Sequence, residues 1–88
     1  MKVHKWNYKK HDYEPYELPE GSMMYSYDMD RKVACAQCGK EIPFGESYTS
    51  WEVHNIIGLG YAVCENCYKQ EWRRKIDAEN KEADEWND

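Results

Sequence analysis

Cys35-Ala36-Gln37-Cys38-Gly39-Lys40 and Cys64-Glu65-Asn66-Cys67-Tyr68-Lys69 are the two stretches that decide how this chain is read. They hold all four of its cysteines, as two CxxC pairs separated by the 25 residues from Gly39 to Val63. A CxxC turn presents two thiolates to one side of the backbone, and two such turns supply the four soft ligands of a tetrahedral shell around one divalent ion. A shell of four protein ligands is closed, so it predicts a structural centre rather than a catalytic one with an open position. One zinc ion is expected on Cys35, Cys38, Cys64 and Cys67, with iron in the same S₄ geometry as the alternative that donor type does not separate. Disulfides and a redox CxxC are the competing readings. Against the redox reading, neither pair follows a strand in a long βαβ unit.

Working outward, Gly39 follows the second cysteine at a position where a tight knuckle needs positive φ, and Val33-Ala34 leads in as a strand. Glu46 to His54 alternates with Ser47, Thr49, Trp51 and Val53 on one face, a period of two that predicts a strand. Its hairpin partner is expected at Tyr61 to Cys64, after a loop containing Gly58 and Gly60. From Glu65 the spacing turns helical. Tyr68, Trp72 and Ile76 recur at intervals of four, and Glu65/Lys69, Glu71/Lys75 and Asp77/Lys81 stand in the favourable i,i+4 orientation. The helix is expected to run to about Trp86, roughly 33 Å at 1.5 Å per residue. Its second half is nearly without apolar residues and is expected to project into solvent or pack on a partner through Ala83 and Trp86.

Residues 1–31 read differently. Lys2, Lys5, Lys9 and Lys10 open a segment that continues through Asp12, Glu14, Glu17 and Glu20, with Trp6 and five tyrosines interleaved. Pro15, Pro19 and Gly21 break any long helix, so partly extended or irregular chain is expected, with a short strand near Met24 to Met29. The whole chain has 88 residues and a formal net charge of −5, which does not favour phosphate backbones. No apolar run approaches the roughly 18 residues needed to span a bilayer, and the N-terminus lacks the apolar core of a signal peptide. A cytoplasmic protein is expected, and a reducing compartment favours metal over disulfide at paired CxxC motifs.

The order of knuckle, β-hairpin and a second CxxC opening a helix resembles the treble-clef zinc fingers, over Cys35 to about Ile76. In that resemblance Cys35 and Cys38 are knuckle ligands, and Cys64 and Cys67 are the ligands at the hairpin end and first helical turn. Cys38 to Tyr48 is similar to the glycine-turn segment of such fingers. The expected fold is therefore a small α+β zinc-binding domain with a treble-clef-like knuckle, a hairpin and a long C-terminal helix. Three segments are expected: an N-terminal extension at 1–31, the Cys₄ module at 32–76 and an acidic helix extension at 77–88.

Treble clefs host several functions, so fold alone does not choose among them. Glu52-Val53-His54-Asn55-Ile56 followed by Cys64 to Lys69 resembles the motifs of HNH-type nucleases. Only nine residues separate His54 from Cys64, however, and Tyr68 stands where that family often has a helical histidine; a degenerate member is the reading left open, with no catalytic residue assigned. His54 is read as a strand histidine, and His4 and His11 as ordinary polar residues. Nucleic-acid binding would use Lys69, Arg73, Arg74 and Lys75 with Lys5, Trp6, Tyr8, Lys9 and Lys10. Against it, residues 77–88 carry six acidic groups beside Lys81 alone. The preferred expectation is a non-enzymatic interaction or regulatory module that presents rings to another protein. Trp6, Tyr8, Tyr13, Tyr16 and Trp86 are the candidate contacts, while Trp51, Tyr61, Tyr68 and Trp72 are assigned to the core. The composition resembles that of bacteriophage or mobile-element proteins that bind a host factor, and a homo-oligomer would use the same surface.

Overall fold

The computed structural model describes the backbone of residues 2–86 and the side chains of residues 2–80. The aromatic opening folds as a hairpin of β1 (Lys2–Asn7) and β2 (Asp12–Glu17), in which Trp6 lies opposite Tyr13 and Val3 opposite Tyr16. Asn7 closes the turn locally: its side-chain oxygen accepts the amides of Lys9 and Lys10 at 2.9 and 3.2 Å. Asn favours such turns because its short side chain can stand in for a backbone acceptor.

β3 (Lys32–Ala34) and β4 (Glu41–Pro43) flank the first CxxC as a two-stranded sheet. After a single 3₁₀ turn at Phe44–Glu46 come β5 (Tyr48–His54), β6 (Gly60–Val63) and the helix α1 (Glu65–Trp86). The hairpin, the strand leading into the knuckle and the helix thus follow the sequence reading closely. β5 also pairs with β1, giving a four-stranded antiparallel sheet in the order β2-β1-β5-β6. Hence Val3 shares one core with Val33, Ile42, Val53, Tyr61, Val63 and three of the cysteines.

No strand forms at Met24 to Met29. The Ser26 hydroxyl accepts the amide of Asp28 and the Asp28 carboxylate accepts that of Asp30, so side chains take the amides a ladder would need. Tyr25 and Tyr27 are left exposed on this turn.

The strict alternation expected along β5 also fails, and here the consequence is larger. Thr49 pairs with Ala62 and His54 with Gly60, so a five-residue step on β5 faces a two-residue step on β6. Val53 stays in the core while Trp51, expected on the same face, turns out beside the rings of the N-terminal hairpin. Gly60 is required at this irregularity because a Cβ there would stand 2.4 Å from the Ser50 carbonyl oxygen. No helix among the described residues is long and apolar enough to cross a membrane.

Candidate metal centre

Cys35 directly follows strand β3 and Cys38 completes the tight turn, where Gly39 adopts φ 79° and donates its amide to the Cys35 carbonyl at 2.8 Å. Cys64 stands between β6 and α1, and Cys67 lies in the first helical turn. Folding brings their four Sγ atoms within 4.8 Å of one another. Zinc–sulfur bonds of about 2.3 Å in a tetrahedron place the sulfurs roughly 3.8 Å apart, and the Cys38–Cys64 separation is 3.9 Å. The four thiols therefore fit a single ion of this kind. Cys35, Cys64 and Cys67 are buried, and Cys38 is exposed.

The surroundings suit a thiolate shell. Cys35 Sγ accepts the amides of Gln37, Cys38 and Cys64 at 3.4, 3.5 and 3.2 Å. Burial alone would raise the Cys35 thiol, but these donors outweigh it and bring its pKa down to about 7. Burial holds Cys67 above the usual thiol range instead. The Tyr16 hydroxyl donates to the Ala36 carbonyl at 2.6 Å, tying strand β2 to the knuckle. Bound in this site, a zinc ion would supply cohesion among β3, β6 and α1, with all four thiolates as its ligands.

A second buried cluster lies beside the first and was not foreseen from the sequence. Glu71 is fully buried, and its carboxylate accepts the amides of Trp51 and Glu52 at 2.6 and 3.1 Å and the Ser50 hydroxyl at 3.0 Å. Ser50 Oγ in turn accepts the amide of Val53 at 2.8 Å. These bonds engage the amides of three successive β5 residues with side chains, in the same stretch where the register of β5 with β6 is irregular, and so offer the backbone an alternative to regular pairing there. Burial raises the pKa of Glu71 and the converging donors oppose that rise. Glu52, also buried, accepts from Arg74 Nε and Nη2 at 2.7 and 2.8 Å. Gln37, inside the first CxxC, donates to Glu52 at 2.9 Å and to Glu71 at 3.3 Å, so the knuckle and the carboxylates share one network.

These contacts correct one expectation: Glu71 does not pair with Lys75. Arg74, a candidate phosphate contact, is exposed but has its guanidinium paired with the buried Glu52 carboxylate. The Lys75 ammonium instead lies 4.2 Å from the Trp51 ring centroid and 5.0 Å from that of Trp72, with Glu79 at 3.8 Å. The pair Glu65/Lys69 forms as expected at 3.2 Å. The sequence did carry a signal for Glu71: it lies four residues after Cys67 and seven after Cys64, on the helical face that the cysteines define as inward. Ile76, expected on that face, is exposed.

The candidate contact rings separate into groups. Trp6, Tyr8 and Tyr13 converge with Trp51, Lys75 and Glu79 on an open groove of about 370 Å³ between the N-terminal hairpin and α1. Tyr16 is committed to the knuckle through its hydroxyl, and the side chain of Trp86 lies outside the described residues. Of the rings assigned to the core, Tyr61 is buried, Tyr68 and Trp72 are half-buried, and Trp51 is exposed. His54, on β5 opposite His4 of β1, meets the Tyr13 hydroxyl at 3.2 Å. No family model matches the chain, and no match was found among curated proteins or solved structures.

Proposed function

We propose that this chain is a non-enzymatic, zinc-stabilised interaction module of treble-clef type, whose working surface is the aromatic groove beside the metal-supported core. The observation that carries this reading is the meeting of Trp6, Tyr8 and Tyr13 of the N-terminal hairpin with Trp51 of β5 around a groove open to solvent. Large rings are costly to leave in water, and Trp and Tyr are favoured at protein interfaces because they offer broad, rigid, amphipathic contact area. The order of knuckle, hairpin and helix supports the treble-clef assignment, and the closed set of four thiols supports a structural role for zinc. A regulatory adaptor, such as a phage or mobile-element protein acting on a host factor, is the biological setting this reading suits.

Nucleic-acid binding is less well supported, since three of its four helical cations are already engaged: Arg74 with buried Glu52, Lys69 with Glu65, and Lys75 with Glu79 and two indoles. The test is capture of the tagged, zinc-loaded chain carrying a photo-crosslinker in place of Tyr8, from native lysate, with and without nuclease treatment. A protein crosslink that survives nuclease and disappears with Trp6→Ala is the expected outcome. Recovery of nucleic acid alone would overturn the reading.

A further inference from the structure

The groove has a chemistry more particular than apolar. Tyr8, His11 and Tyr13 stand nearly perpendicular to Trp6, at 86°, 88° and 73°, so ring faces and edges alternate along its wall. Two ionic side chains line it, Lys75 and Glu79, and they lie 3.8 Å apart. Lys75 is further held over two indoles. An ammonium already shared between two rings and a carboxylate offers little to a phosphate, and it occupies the ring face that an incoming cation would seek. The charge balance of the groove therefore favours an occupant whose inserted part is neutral.

An open groove walled by ring faces and edges suits a segment that brings bulky apolar rings on a stiff backbone and needs no strand partner. A polyproline II helix is such a segment: its residues are preordered, its backbone carries no internal hydrogen bonds, and aromatic-lined grooves are its usual receptors. A strand would need a free sheet edge, and β2 at this edge carries Pro15, which has no amide to donate. The Glu79 side chain, 62% exposed and at the long limit of its ion pair, stands at the groove of a chain with net charge −5. A basic residue beside the prolines would complement it, and an acidic one would be repelled.

Building on the interaction-module reading, we propose that this groove binds a proline-rich segment in the polyproline II conformation, with a basic flanking residue facing Glu79. The occupant lays its pyrrolidine rings against Trp6 and the exposed Tyr13 ring, beside Trp51, and leaves the metal centre untouched.

The test titrates the zinc-loaded full chain with a short oligoproline peptide carrying arginine at each end. Calorimetry and the NMR signals of the Trp6 and Trp51 indole N–H groups are the readouts. The comparators are the same prolines with glutamate ends, a glycine–serine peptide with arginine ends, and oligothymidine. The arginine-flanked oligoproline is expected to move both indole signals. Glutamate ends should weaken binding several-fold, and the glycine–serine peptide should bind at least about tenfold more weakly. Trp6→Ala should cost about tenfold or more. Ala78→Arg, which fills the groove from the helix without removing a ring, should do the same while zinc content and the unfolding transition stay unchanged. Glu79→Gln should erase the preference between arginine and glutamate ends.

Equal binding of the glycine–serine peptide, or oligoproline binding indifferent to Ala78→Arg, would overturn the proposal. If oligoproline fails while the protein crosslink at position 8 persists, this inference falls and the interaction module stands. If oligothymidine alone shifts the indoles, both fall.

Discussion

At the cysteine end of the molecule, thiols, amides and the Tyr16 hydroxyl are turned inward on one another, whereas farther along the same helix four rings stand around an open groove. The two regions are joined by one buried network: Gln37 leaves the knuckle to meet Glu71, and Glu71 holds the strand irregularity that delivers Trp51 to the groove. The comparison separates what holds the fold from what the fold displays. It also implies an order of dependence, since the groove requires the network and the network lies against the metal core.

The largest effect should come from the cysteine end. Chelation of the metal, or Cys35→Ser, should unfold the core cooperatively, because structural zinc contributes apparent free energies of about 10–16 kcal/mol in small fingers. The N-terminal hairpin should melt with it, as an isolated two-stranded hairpin is at best marginally stable. Circular dichroism and amide NMR during chelator titration check this, and a hairpin that survives would break the proposed dependence.

Next comes the link itself. Glu71→Ala strips the amides of Trp51 and Glu52 of their acceptor in a buried setting and should cost about 3–5 kcal/mol in denaturant unfolding. Metal binding should persist in the folded fraction while the Trp51 indole signal moves, since only the groove depends directly on the irregular strand. Arg74→Ala leaves the Glu52 carboxylate buried without its guanidinium and should cost about 2–3 kcal/mol by the same measurement.

Smaller effects belong to the groove. Trp6→Ala removes a half-buried ring from the edge of the core and should cost about 1–2 kcal/mol without altering zinc stoichiometry. His54 sharpens the comparison through pH. Burial lowers its pKa below 6.5, so the folded state favours the neutral ring, which can accept from the Tyr13 hydroxyl. Its contribution is present above pH 6.5 and is lost as pH falls through the lower folded value. An NMR titration should find His54 titrating below 6.5 with the Tyr13 ring signals moving in step. The smallest effect is expected at the β5–β6 tip, where Ile57 is 76% exposed. Ile57→Ser should alter unfolding by no more than about 0.5 kcal/mol.

The clustering of the four cysteines, the knuckle glycine, the hairpin and the span of α1 were legible in the chain because each rests on short-range chemistry. CxxC spacing, the φ demanded of Gly39, the β-branched and aromatic run of β5 and the helical repeat after Glu65 are all written within a few residues. Glu71 was misread for the same reason: four residues before a lysine, it satisfies the local pattern of a surface ion pair. Only packing against β5 gives its carboxylate better partners, namely amides and a hydroxyl from a strand some 20 residues away. Likewise no local rule puts Trp6, Tyr13 and Trp51 together, because the pairing of β1 with β5 is a long-range choice and Trp51 turns out in the stretch of β5 whose amides Glu71 engages. Sequence by itself determined the four-thiol centre and the elements that carry it. Tertiary structure decided where the rings meet, since a period of two assigns faces only while the register holds, and here it is irregular where a buried carboxylate from another element engages the strand's amides.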